Sequence, residues 1–465
     1  CMKQTQAQYT KLLDFADTTN GSQPFGSLMQ ASDGMLYGIT YGGGANAMGV
    51  LFQYNPATNI YTKKLDFSGV TNGSNPRGSL MQASDGMLYG MTTYGGASTN
   101  CSGGCGVLFQ YNPTTNTYTK KLDFAGTTNG SNPAGSLMQA SDGMLYGMTH
   151  AGGASNLGVL FQYNPTANTY TKKLDFAGTT NGSKTQGSLM QASDGMLYAM
   201  TYSGGVSDYG VIFQYNPTTN TYTKKLDFAG VTNGSYPLGS LMQASDGMLY
   251  GMTYEGGVYN WGVLFQYNPT TNTCTKELDL AGGINGNPAG DLMQASDGMM
   301  YGMAYIGGAS GYGVLFQYNP TTSTYTKELD FSGTTNGSFP TGSLMQASDG
   351  MLYGMTEQGG ASTNCSGSGC GTLFKYGIGA AGIQQVTGIN EQVNIYPNPS
   401  NGSFIIEANN TKQAMQVYDV NGKLVLSQLI NGKATIDATP LNEGVYTISL
   451  ISNEGVVNKK LVIIR

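Results

Sequence analysis

Gly26-Ser27-Leu28-Met29-Gln30-Ala31-Ser32-Asp33-Gly34-Met35-Leu36-Tyr37 returns, almost letter for letter, six more times along this chain of 465 residues. The later copies open at Gly78, Gly135, Gly187, Gly239, Gly290 and Gly342, in steps of 52, 57, 52, 52, 51 and 52 residues. A fixed period of this size marks a repeat architecture, in which each unit buries its apolar faces against its neighbours. Seven near-copies also serve as their own comparison, because positions where they differ stand out against those where they agree.

One period predicts four strands. In the second copy these are 79–83, 87–92, 106–111 and 118–124. Ser84-Asp85-Gly86 makes a hairpin turn whose Asp-Gly favours positive φ. The Gly95-Gly96 pair ends the second strand, and the third, Val107-Leu108-Phe109, is apolar on both faces and so buried. Asn112-Pro113-Thr114-Thr115-Asn116 is a turn, since Pro pre-sets φ and Asn caps it. Four antiparallel strands per period make a propeller blade. The seventh copy stops after its third strand, and the missing fourth lies at the other end of the chain, at 9–15. Pairing that strand into the last blade closes the ring and removes an open edge. The fold class is therefore all-β, a seven-bladed β-propeller over residues 9–376.

Residues 377–392 break the period and read as a linker. Residues 393–465 turn rich in Val and Ile, with turns at Asn401-Gly402, Asn421-Gly422 and Asn431-Gly432. They predict a small Ig-like β-sandwich of roughly six or seven strands.

Composition narrows the partners. Glycine supplies 70 residues, as tight turns require, while charged residues make up only 10%. The net charge is −6, and the only arginines are Arg77 and Arg465. Phosphate recognition leans on clustered Arg and Lys, which argues against nucleic acid. No apolar run approaches the ~18 residues of a membrane-crossing helix. The chain opens on Cys1 rather than Met, as expected where a targeting segment has been removed or left out.

The repeats resemble the tandem GloVer repeats of choice-of-anchor bacterial surface proteins. The matching residues are Asp33-Gly34-Met35-Leu36-Tyr37-Gly38-Ile39-Thr40, Gly43-Gly44 and Gly49-Val50-Leu51-Phe52-Gln53-Tyr54, a pattern found in all seven copies. The resemblance implies an extracytoplasmic protein. A partial likeness to kelch blades rests on the Gly-Gly pair, without the usual kelch tryptophan. The C-terminal part resembles the type A sorting domain of the type IX secretion system of Bacteroidetes. Its residues are Asn394-Ile395-Tyr396-Pro397-Asn398-Pro399, Val417-Tyr418-Asp419-Val420-Asn421-Gly422-Lys423, Leu441-Asn442-Glu443-Gly444-Val445-Tyr446 and Lys459-Lys460-Leu461-Val462-Ile463. That resemblance implies export across the outer membrane, with the secretion machinery as a partner and the cell surface or medium as destination.

Cys101 and Cys105 sit in the loop between second and third strands of blade two, and Cys365 and Cys370 in that of blade seven. In an exported protein they read as a local disulfide in each loop. The alternative, one four-cysteine metal site, needs two loops to meet across an intervening blade. Cys274 replaces a fourth-strand tyrosine and reads as a buried free thiol.

Function is sought where the copies differ. Loops joining strands four to one and two to three share one face of a propeller, and their residues vary from blade to blade. The candidate binding residues there are Tyr41, Tyr94, His150, Tyr202, Tyr209, Tyr254, Glu255, Trp261, Tyr305, Tyr312 and Glu357, with Phe25, Arg77, Gln186, Tyr236 and Phe339 from the loops into the first strands. Aromatics with polar tips suit sugar rings and protein surfaces, and Trp261 is the expected hot spot. The competing reading is drift in long loops, with the tyrosines packing between blades. Catalysis has little support, since His150 is the single histidine and a sialidase-type site needs more arginines than the chain has. Glu255 and Glu357 are the carboxylates a glycoside hydrolase would use. Asp14, Asp66 and Asp123 alternate with lysines as on a solvated face, and the Asn-Gly-Ser triplets read as turns. The expectation is a non-catalytic, monomeric binding module for an extracellular glycan or protein, with no cofactor or metal. The alternatives are an extracellular carbohydrate-active enzyme, hydrolase or lyase, and a purely structural surface or biofilm protein.

Overall fold

The computed structural model describes residues 9–365, 368–378, 393–419, 424–452 and 455–464. The chain divides into two compact units, Cys1–Ile378 and Gly379–Arg465. Cys1, most of the expected linker (379–392) and the Asn421-Gly422 turn lie outside the described residues.

The first unit holds seven four-stranded antiparallel sheets. In the second blade the strands are Met81–Gln82, Leu88–Thr92, Val107–Asn112 and Thr117–Asp123. The hairpin turn owes its constancy to a buried tyrosine. Tyr89, fully buried, donates its hydroxyl to Asp85 Oδ2 at 2.8 Å and accepts Gln110 Nε2 at 2.8 Å. A buried phenol demands such partners. Asp85 Oδ1 also accepts the Met87 N–H, and only Gly86 takes the left-handed conformation, at φ 79°. At the opposite hairpin Asn116 sits at φ 56° and accepts the Tyr111 hydroxyl.

No blade buries itself. Leu80, Leu88, Val107 and Phe109 of blade two pack with Ala31, Tyr37, Leu51 and Phe67 of blade one, and the same exchange recurs around the wheel. The last exchange unites blades seven and one, through Tyr353, Met355 and Leu373 against Leu28, Leu36 and Phe52. The strand Tyr9–Asp14 pairs antiparallel with Thr372–Tyr376 and completes the seventh sheet, as the permuted sequence requires.

Two rings of side-chain hydrogen bonds close the circle. Near the axis the backbone N–H of Ser27 donates to Ser79 Oγ, Ser79 to Ser136, and so on through Ser188, Ser240, Asp291 and Ser343 back to Ser27, at 2.5–2.8 Å. On the hairpin side each turn serine N–H donates to a glutamine Oε1 of the next blade, from Ser32 to Gln82 round to Ser348 and Gln30, at 2.7–2.8 Å. These lateral bonds explain why the innermost strand spans two residues rather than the expected five: its flanking N–H groups bond to the neighbouring blade.

One local expectation changes, and the expected Asn-Gly-Ser turns prove to be buried. The outer-strand aspartates are not merely solvated. Asp66 Oδ1 accepts the Ala45 N–H at 2.9 Å while pairing with Lys63 Nζ at 3.1 Å, so each aspartate pins the loop that follows the second strand. The Asn-Gly-Ser turns are buried: Asn72 Oδ1 accepts the Ser68 N–H and its Nδ2 donates to Asp66 O.

The second unit is a β-domain of five strands, Asn394–Tyr396, Ser403–Tyr418, Leu424–Asp437, Gly444–Ser452 and Gly455–Ile463, around a core that includes Phe404, Val417, Ile436, Ile448 and Leu461. Among the described residues it has fewer and longer strands than expected. The Asn431-Gly432 pair does not turn the chain back. It lies inside Leu424–Asp437, with Gly432 at φ 66°, opposite a register break between Glu407 and Lys412. The pairing continues on both sides of that irregularity.

Candidate functional site

The variable loops rest on an invariant frame. In blade two the loop from strand four pairs with the loop after strand two through Ser74 N to Tyr94 O at 2.9 Å and Gly96 N to Gly69 O at 3.0 Å. The aspartate of the outer strand and the glycine pair fix these loops, leaving the side chains between them free to differ. The chain then dives to the axis at Gly26, Gly78, Gly135, Gly187, Gly239, Gly290 and Gly342. A Cβ on any of them would lie 2.1–2.7 Å from atoms of the next blade, chiefly the next glycine's carbonyl oxygen.

Above this glycine–serine ring opens a cavity of about 340 Å³. Phe25, Arg77, Gln186, Leu238, Tyr254, Tyr305 and Glu357 form its walls, and Asp291 interrupts the serines of its floor. Glu357 is 7% exposed, and burial pushes its carboxyl up, against the lowering pull of the Gln358 amide and the Arg77 guanidinium. Arg77 is held over the rings of Phe25 (5.1 Å) and Tyr41 (5.4 Å), which meet edge to face at 5.1 Å. Burial also raises the Tyr254 and Tyr305 phenols.

The structure separates the sequence candidates by radius. Tyr254, Tyr305 and Glu357 line the cavity, and Tyr41 touches its arginine. Farther out, Tyr202 and Tyr209 both pack on Tyr236, at 5.2 and 5.6 Å, and Tyr312 packs on Phe339 at 5.6 Å, as does the ring of Tyr305 at 5.0 Å. Tyr236 and Phe339 both stand at φ 55°, a strained choice for an aromatic residue. Trp261 lies across the entry loop of the next blade, against Gly282, and is 38% exposed. Glu255 and Tyr94 enter backbone bridges with Ser235 and Ser74 and do not line the cavity. His150 is half-buried, and its Nδ1 has no partner among the described residues. Burial and then Lys184 hold its imidazole below the usual value.

Cys101–Cys105 and Cys365–Cys370 are disulfides, with Cα atoms 5.1 and 5.2 Å apart. Among the described residues no group of three His, Cys, Asp or Glu side chains is placed to hold a metal. Cys274 is half-buried rather than fully buried, and burial pushes its thiol up to about 12.

Sequence reasoning passed over Asp291, although the signal was present: Gly290-Asp291 is the one departure from Gly-Ser in the seven opening dipeptides. Its Oδ1 accepts the Ser240 N–H at 2.5 Å, yet burial dominates and raises its carboxyl. A carboxyl raised in the folded state binds more protons there than when unfolded, so stability falls as pH climbs above the ordinary Asp value of ~3.9. Asp291→Ser is expected to remove that slope. Thermal melts from pH 4 to 8 check this, and equal slopes in both proteins would refute it.

The family model for the Gloeobacter/Verrucomicrobia repeat matches residues 2–104, 99–245 and 230–416. The model for the secretion system C-terminal sorting domain matches residues 394–464. No curated protein matches the chain. Among solved structures the chain is similar to a fungal alcohol oxidase of the AA5 family in complex with copper, at 13% identity and TM-score 0.52, over 99% of this chain and 100% of that one. It is also similar to the GH74 enzyme of Niastella koreensis, at 14% identity and TM-score 0.50, over 96% and 67%. Likeness at this identity shows the fold alone. The sorting domain marks the protein for type IX secretion to the cell surface or extracellular space. No helix among the described residues is long and apolar enough to cross a membrane.

Proposed function

The chain belongs to the Gloeobacter/Verrucomicrobia repeat family, and from that premise we propose that it is an exported binding protein, without chemistry of its own, whose loop face takes an extracellular glycan or protein ligand. One observation carries the reading. The side chains that wall the axial cavity occupy positions where the seven copies differ, while the Ser and Gln rings that hold the blades are nearly uniform. A scaffold alone has no reason to vary the side chains that wall its axial cavity. Function placed on loops over a rigid frame is the common arrangement.

Tyr254 and Tyr305 are the anchors in this reading, in preference to the outlying Trp261. The double variant Tyr254→Ala/Tyr305→Ala is expected to fold normally and to lose tenfold or more in affinity for cells, matrix or glycan arrays. Unchanged binding would favour a structural surface protein.

A second reading rests on the two carboxylates of the lining, Glu357 and Asp291. Paired carboxylates serve glycoside hydrolysis when one protonates and the other attacks or activates water. Against it, Asp291 is tied into the axial ring, accepting the Ser240 N–H on its carboxylate and donating its own N–H to Ser343 Oγ. Product release from polysaccharides that Glu357→Gln abolishes would replace binding by catalysis.

A further inference from the structure

Arg77 is the cation of the axial cavity, in a protein whose other blade cations are largely engaged. Each outer strand carries a lysine paired with an aspartate three residues on, at 2.8–3.1 Å. Arg77 has no hydrogen bond or ion pair among the described residues. The two ring faces of Phe25 and Tyr41 restrict the guanidinium without using its N–H groups, and those groups are the fork that grips a carboxylate. Its charge is felt at both Glu357 of blade seven and His150 of blade three.

The rest of the cavity speaks to what would accompany that carboxylate. Tyr254 and Tyr305 offer rings with polar tips, Gln186 an amide, and the floor a circle of serine hydroxyls. A peptide end would seek a free backbone edge. Here the inner N–H groups already bond to the serine ring. The volume is near the small end of the roughly 300–1,000 Å³ of ligand pockets.

We propose that the axial mouth binds the acidic end of a saccharide, with the sugar carboxylate on Arg77 and its ring against Tyr254 and Tyr305. The inference rests on the binding reading above and narrows it to one ligand class.

The test titrates the full chain with a panel of uronic acid oligosaccharides, their carboxyl-reduced counterparts, and acetate and inorganic phosphate. The acidic sugar is expected to bind about tenfold or more tighter than its reduced form. Arg77→Gln should erase that preference, Arg77→Lys should restore part of it, and Tyr305→Ala should weaken acidic and reduced sugars alike. Melting curves confirm that these surface variants fold. Equal binding of acidic and reduced sugars overturns the inference while leaving the binding face intact. Phosphate or acetate binding as tightly as the sugar acid also overturns it, making Arg77 a bare anion site. Binding to cells or proteins but to no saccharide rejects the ligand class, and binding to nothing rejects the earlier reading as well.

Discussion

A chain lacking residues 9–15 should fail to form a stable propeller, although it keeps six complete blades and three strands of the seventh. The lost strand supplies the ladder opposite Thr372–Tyr376. Tyr9 packs with its ring tilted on Phe374 at 5.2 Å and donates its hydroxyl to Asn336 O at 2.8 Å. Phe15, fully buried, meets Phe52 of blade one edge to face at 5.7 Å. Removing one buried Phe alone costs about 3–5 kcal/mol. The deletion adds the ladder bonds and leaves a raw edge on a sheet built to be covered. The total rivals the ~5–15 kcal/mol that holds an ordinary domain together. Thermal melting and size-exclusion chromatography read the outcome, and a synthetic 9–15 peptide added in trans should restore part of the loss. A truncated protein that melts with the intact one would mean the wheel does not depend on this clasp.

The closed wheel was legible because its logic is one of counting: seven third strands, six internal fourth strands and a spare at the N-terminus. The strand limits were legible to within a residue or two for the three longer strands, where apolar runs and turn residues agree. The inner strand was not, because its bonding is lateral. Ser27 and Ser79 are 52 residues apart, and nothing within a single blade announces that one serves the other. Identity among copies is the trace such bonds leave.

The site was legible in outline and not in radius. Periodicity says which loops share a face, but not how far each side chain stands from the axis. Tyr254 and Tyr305 reach the cavity, whereas Tyr209 and Trp261, equally variable, lie over neighbouring loops. Arg77 stood in the sequence as a rim residue, and its importance follows from two aromatic rings one blade away. In the C-terminal unit Asn-Gly misled, since the same dipeptide that reverses a chain also sits within a strand when its neighbours keep pairing.

Gly187→Ala should be among the most damaging single-methyl changes the molecule can suffer. Gly187 does not occupy the left-handed region, so alanine is conformationally acceptable there and the penalty is purely one of space. The added Cβ would lie 2.1 Å from the Gly239 carbonyl oxygen and 2.7 Å from its carbon. Both are backbone atoms, so no side chain can swing aside. Blades four and five would have to part, yet the Ser188 to Ser240 and Ser193 to Gln243 bonds tie them on either side of the contact. In a closed ring that displacement has nowhere to go but round the circle. Overpacking in a dense interior costs about 1–3 kcal/mol where side chains can yield, and more is expected here. Gly283→Ala is the control, for its Cβ meets nothing within 4 Å and should leave the melting point unchanged. Because Gly187 also edges the axial cavity, the variant should lose ligand affinity along with stability. Melting equal to that of the control would mean the blades do not meet at this ring.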